Sequence, residues 1–179
     1  MMRVLGIDPG IERLGWAVLE KDGRKFNYLA SGVKKTLKTS AREVRLLEIH
    51  DFLEKLISEH KPELVSLENI FFSNNAKTAL IIGEVRGIIL MLAAKHNLAV
   101  MEFGPAQIKL ALAGYGRADK SSVLNMLKLT LNLPNKKFID DESDAIAIAC
   151  CGIIHSGTLQ TNQDRLFSKE DYKDHKGRI

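Results

Sequence analysis

Four carboxylates stand where chemistry is possible: Asp8 closes the apolar run Val4-Leu5-Gly6-Ile7, Glu68 closes Leu64-Val65-Ser66-Leu67, and Asp141 and Asp144 sit three apart in "DDESDAIAIA". A charge at the end of a buried strand is costly unless it has a partner. Two acids three apart on a helix share one face, on the turn where the macrodipole favours negative charge. Each acid alone has a plain structural reading. Asp8 before Pro9-Gly10 suits a turn, Glu68 suits an ion pair, and Asp140, Asp141, Glu142 and Asp144 suit a helix start. Together they suit a different role, because four acids brought within a few ångströms repel unless cations lie between them. All-oxygen ligands with no nearby cysteine and no histidine at ligand spacing point to Mg²⁺ or Mn²⁺ and argue against zinc. Two such ions about 4 Å apart activate water and stabilise a leaving oxygen in phosphodiester hydrolysis.

These acids need elements to carry them. Three strand-like segments, Met2 to Asp8, Leu14 to Glu20 and about Lys25 to Val33, are joined by the short turns "PGIER" and "KDG", which favours an antiparallel meander. A helix is expected from about Ser40 to His60, with Ser40 as N-cap in a capping box with Glu43. Its apolar stripe comprises Leu46, Leu47, Ile49, Leu53, Leu56 and Ile57. Pro62 ends it. A strand at Leu64 to Glu68, a helix over about Ala76 to His96, a strand at Ala99 to Phe103 and a short helix after Pro105 follow. Helices over about Lys120 to Leu131 and from Asp140 onward complete the pattern. Such an order predicts an α/β fold, a mixed sheet with helices on its faces. A helical crossover returns the fourth strand parallel to the first, so Asp8 and Glu68 lie side by side. Residues 1–157 are expected to form one domain. The polar tail, 158–179, lacks periodicity and is expected to be flexible.

The 179 residues carry 26 Lys and Arg against 22 Asp and Glu, a net +4 that permits an anionic partner without requiring one. Between Lys109 and Lys137 the bias is stronger: Lys109, Arg117, Lys120, Lys128, Lys136 and Lys137 face the single acid Asp119, which suits a phosphate-facing surface or an ordinary solvated helix face. "GYGRADK" lacks the Walker spacing, and Arg117 and Lys120 are better placed against a nucleic-acid backbone. Phe71, in the polar segment "NIFFSNNAK" beside Glu68, could stack on an unpaired base or fold inward; Phe72 is expected to fold inward. Adjacent Cys150 and Cys151 suit neither a disulfide framework nor a metal site, and no secretory leader pattern precedes the first strand, so a cytoplasmic protein is expected. The apolar run Val85 to Ala94 contains Arg86 and falls short of the roughly 20 residues a membrane span needs.

"GIDPG", "LENIFF" and "DDESDAIAIA", with "AQIKLALAGYGRADKSSV" between them, closely resemble the RuvC family of Holliday junction resolvases, in the family's order and spacing over about residues 1–155. The resemblance implies a ribonuclease-H-like fold with a five-stranded mixed sheet flanked by helices. It implies a Mg²⁺-dependent homodimer that makes paired nicks in a four-way DNA junction in recombination and repair, with RuvA and RuvB as branch-migration partners. Asp8, Glu68, Asp141 and Asp144 fall on the family's catalytic, metal-holding positions; histidine also occurs in the family where this chain has Asp141. Phe71 falls on an aromatic thought to stack at the junction, and Lys109 and Lys120 on basic residues used with DNA. Gly83 and Gly87, a small-residue pair that could serve internal packing, become candidates for a dimer surface. Three rivals follow from the same residues: a sugar-kinase or actin-like ATPase, which shares the "GID" strand; a nuclease of RNA or RNA–DNA hybrid; and a module that binds branched DNA without cutting it.

Overall fold

The computed structural model describes residues 1–69 and 76–157; Phe71, Phe72 and the tail lie outside the described residues. The chain runs β1 (Met2–Asp8), β2 (Arg13–Asp22), β3 (Lys25–Lys35), α1 (Arg42–His60), β4 (Leu64–Glu68), α2 (Ala76–Lys95), β5 (Ala99–Phe103), α3 (Pro105–Ala113), α4 (Lys120–Thr130) and α5 (Asp140–His155). The strands form one sheet in the order β3-β2-β1-β4-β5. β1, β2 and β3 are antiparallel, as the short turns require, and Gly23 takes the positive φ (59°) that the tight β2–β3 turn needs. β4 pairs parallel to β1, and β5 parallel to β4.

Alternation along β1 assigns its side chains to two cores. Leu5 and Ile7 join the helices α1 and α2 on one face, and Val4 joins α3, α4 and α5 on the other. α5 lies flat on the centre of the sheet because its inner face is made of small residues. A Cβ on Gly6 would overlap the Ala145 carbonyl and Ala149, so only glycine lets the helix come this close. The Ser66 hydroxyl donates to the Ile148 carbonyl at 2.7 Å, satisfying a buried polar group against the same helix. Cys150 and Cys151 are buried there as free thiols, and burial pushes both up to about 12, far from a reactive thiolate.

The start of α1 departs from the local signal. Its N-cap is Ala41, with no side-chain cap, and Ser40 instead closes a turn by donating its N–H to the Leu37 carbonyl at 3.1 Å. Tertiary contacts replace the capping box. Thr36 donates its hydroxyl to the Ile11 carbonyl (2.6 Å) and accepts from Arg45 Nε (2.8 Å), tying the first turn of α1 to the sheet. Leu47 is also outside the buried stripe, 58% exposed, because its neighbour Leu46 already faces the core and adjacent helical positions diverge.

Candidate active site

β1 and β4 end together. Ile7 is paired with Leu67, so the next residues, Asp8 and Glu68, emerge side by side, both on the face covered by α5. Asp8 also stands opposite Gly15 across the β1–β2 ladder. The first turn of α5 passes over this point, bringing Asp141 and Asp144. Burial and the neighbouring Asp144, Glu68 and Asp141 carboxylates push Asp8 up from 3.8 to about 7, against the pull of the Lys120 ammonium. Glu68 is likewise pushed up, by burial and by Asp144, and held back by Lys120 and Lys109.

Cations balance this charge. Lys120 Nζ lies 3.0 Å from Asp144 Oδ2 and 3.8 Å from Asp140 Oδ2, and those carboxylates raise the lysine in turn. Its placement follows from a local cap: Asp119 accepts a hydrogen bond from the Ser122 N–H (2.7 Å), which starts α4 with Lys120 as its first residue. Arg13, at the start of β2, forms an ion pair with Asp141 Oδ2.

The sequence-derived residues therefore separate into groups. Asp8, Glu68, Asp141 and Asp144 form one electrostatic cluster, with Lys120 and Lys109 at its edge. Arg117 is exposed in the loop before α4, pairing with no acid among the described residues. Of the basic residues from Lys109 to Lys137, Lys136 is engaged in an ion pair with Glu142 while its side chain stays 44% exposed. Its ammonium donates to Glu142 Oε1 at 2.7 Å, and Ser31 donates to the same oxygen at 2.6 Å. Glu142 is thus a buried anchor rather than a helix-end acid facing solvent. Arg13 and Glu142 escape a reading of local sequence because their partners are brought to them only by the sheet.

Divalent metal suits this donor set on chemical grounds. Every acidic donor in the cluster is a carboxylate oxygen, and a hard cation would relieve the burial and mutual repulsion that raise Asp8. Asp141 Oδ2 is buried with no hydrogen-bond partner beyond its ion-pair contact with Arg13. Among the described residues no three acidic, histidine or cysteine side chains converge tightly enough to grip one ion in the rotamers observed. Asp144 is turned toward Lys120 and Asp141 toward Arg13.

Acids on the ends of two adjacent parallel strands, met by acids on a helix laid across a five-stranded mixed sheet, define a nuclease of ribonuclease-H-like fold. Comparison with known proteins gives the family. Residues 4–152 match the family model described as crossover junction endodeoxyribonuclease RuvC. The RuvC of Caldicellulosiruptor saccharolyticus is 40% identical over 166 residues, covering 92% of this chain and 100% of that protein. The RuvC of Alkaliphilus metalliredigens is 42% identical over 160 residues, covering 89% and 97%. Among solved structures, T. thermophilus RuvC in complex with a Holliday junction substrate superposes with a TM-score of 0.83 at 33% identity, covering 87% of this chain and 95% of that one. The chain belongs to the RuvC family of crossover junction endodeoxyribonucleases. None of its described helices is long and apolar enough to cross a membrane.

Proposed function

We propose that this chain cuts four-way DNA junctions by phosphodiester hydrolysis at Asp8, Glu68, Asp141 and Asp144, acting as a homodimer that places paired, symmetric nicks. The observation that carries this reading is the convergence of the four acids, with Asp8 raised to about 7 by burial and by the other three. Held by these carboxylates, two Mg²⁺ ions, or Mn²⁺ in their place, would activate the attacking water and stabilise the leaving oxygen. The chain's own residues do the rest. Asp8 is fixed by a buried strand, so its carboxylate is positioned by the sheet and not by a flexible loop. Asp141 and Asp144 are carried by the first turn of α5, which packs directly on β2, so the helix brings them to the strand ends where the scissile phosphate would be held. Lys120 and Lys109 stand where the phosphates flanking the cut would lie, and Arg117 extends the same basic edge.

Several finer points belong to the same proposal. α2 leaves Leu80, Leu90 and Met91 exposed, and a Cβ on Gly83 or Gly87 would meet nothing within 4 Å. That open, partly apolar helix face supports an isologous dimer, whose two-fold axis suits a substrate with strands related in pairs. By family resemblance Phe71 stacks on a junction base, RuvA and RuvB are the branch-migration partners, and the enzyme works in recombination and repair in the cytoplasm, where two buried free thiols are at home.

The test sets a synthetic four-way junction beside linear duplex and RNA–DNA hybrid, each with Mg²⁺ and with chelator. Paired nicks in the junction alone are expected, lost in Asp8→Asn and Glu68→Gln while junction binding persists. Efficient cutting of the hybrid with the junction left intact would overturn the substrate assignment, and binding without cutting would overturn the enzymatic one.

A further inference from the structure

A cleft of about 380 Å³ runs inward from the carboxylates between α3, α4 and α5. Its apolar lining comes from Ile108 of α3, Leu124 and Leu127 of α4, Phe138 of the connector, and Ala147 and Ile148 of α5, of which Ile108, Leu127, Ala147 and Ile148 are buried; Ser121, Ser143 and Asp140 also line it. Its mouth is the opposite, carrying Glu68, Asp144, Lys109 and Lys120. We propose that this cleft receives one unstacked nucleobase of the strand being cut, an inference that rests on the nuclease reading above.

Three observations choose the occupant. First, the cleft opens onto the acids themselves, so whatever fills it is attached to, or competes with, the strand whose phosphate those acids face. Second, the polarity gradient matches a nucleotide. A planar base presents apolar faces to a floor that offers no charge, while the phosphates on either side of it meet Lys109 and Lys120 at the rim. Third, the volume lies in the lower part of the range of small-ligand sites, about 300–1,000 Å³, which suits one nucleoside and excludes a duplex step. The cleft is preformed on its outer wall. Lys136, held by Glu142, stands 4.9 Å over the Phe138 ring and fixes that aromatic in place. Extruding a base costs unstacking energy, and the cost is least where a base has lost a stacking neighbour, as at the crossover of a four-way junction. Apolar burial in the cleft would offset that cost.

The experiment places 2-aminopurine at each nucleotide flanking the cut in a synthetic junction, bound to the Asp8→Asn protein so that the strand stays intact. A several-fold rise in fluorescence at one position, with protection from acrylamide quenching, is expected. Leu124→Trp and, separately, Val123→Phe fill the cleft from α4. In the Asp8→Asn background each is expected to abolish the protected rise while still binding the junction. Both variants are checked for unchanged near-ultraviolet circular dichroism. An unaltered fluorescence on binding, or a rise that acrylamide quenches freely, would overturn the proposal with Asp8→Asn alone, and a rise that survives both substitutions in folded protein would overturn it as well. Free 2-aminopurine nucleoside monophosphate showing the same protection, with no rise in the junction, would make the cleft a small-molecule site and overturn the strand assignment. Wild-type cutting of the same junction is measured in parallel. Cutting without a protected base sinks this inference alone; a protected base without cutting sinks the nuclease reading alone.

Discussion

Gly15 is opposite Asp8 in the β1–β2 ladder, and its missing side chain is what lets the backbone of Asp141 rest against the sheet: a Cβ there would overlap the Asp141 carbonyl. One residue therefore couples the strand that carries the first acid to the helix turn that carries the third. Gly15→Ala should lift the first turn of α5 off β2, at about 1–3 kcal/mol of stability for overpacking a tight contact. Because the displaced turn holds Asp141 and Asp144, junction cutting should fall further than the loss of fold accounts for. Urea denaturation beside cleavage kinetics of the folded variant separates the two effects, and a variant that loses stability with full cleavage contradicts the coupling.

The raised Asp8 carboxyl gives a pH signature. In the unfolded chain it titrates near 3.8 and in the fold at about 7, so the folded state binds the extra proton throughout that window. Stability should therefore fall as pH rises from about 4 to about 7, the reverse of a salt-bridged acid. Asp8→Asn removes the charge and should melt higher than the wild type at pH 8 in chelator, with the gap closing by pH 4. Mg²⁺ should raise the wild-type melting temperature at pH 8 and do little for Asp8→Asn. Thermal melts across pH, with and without metal, check both statements.

Lys120 holds Asp8 and Glu68 down as well as pairing with Asp144. Lys120→Met should shift both carboxyls further up, so the pH at which cutting reaches half its maximum should move to higher values. Lys120→Arg should restore most of that midpoint. The salt dependence of junction binding should also weaken in Lys120→Met, by about one unit of slope for one lost phosphate contact.

Glu142 binds two donors, Ser31 and Lys136, and the hydrogen bond from Lys136 pushes that lysine's titration up. Glu142→Ala leaves both without their acceptor. With the lysine side chain partly exposed, a loss of about 1–3 kcal/mol is expected, read by denaturant titration. A double-mutant cycle with Lys136→Met should show that the two substitutions are not additive.

The exposed face of α2 predicts an outcome of a different kind. Gly83→Glu and Gly87→Glu meet no neighbour within the described chain, and replacing a mid-helix glycine favours the helix by up to about 1 kcal/mol, so the monomer should melt no lower. If this face forms the dimer, the native mass by light scattering should halve. A dimer that persists in both variants places the interface elsewhere.

Much of the architecture was legible in local pattern. The bounds of β4 and β5 follow from short apolar runs between turn signals, and α5 begins at Asp140 where its acids cluster. The adjacency of Asp8 and Glu68 could also be inferred, because a helical crossover forces β4 parallel to β1 and a parallel register puts both strand ends at one edge. The start of α1 was not legible. Ser40 and Glu43 make a good local cap, yet the helix start is tied instead by hydrogen bonds among Thr36, Arg45 and the Ile11 carbonyl that exist only once the sheet is built.

What the sequence by itself determined, then, is which acids are available and which element carries each, since hydrophobic periodicity and turn chemistry act over a few residues. Only the tertiary structure decided which charges those acids meet. Arg13 reaches Asp141 across 128 positions of chain, Lys120 turns to Asp144, and Lys136 pairs with buried Glu142. Coulomb forces depend on distance through space and on burial, and neither exists until the sheet and α5 have closed on each other.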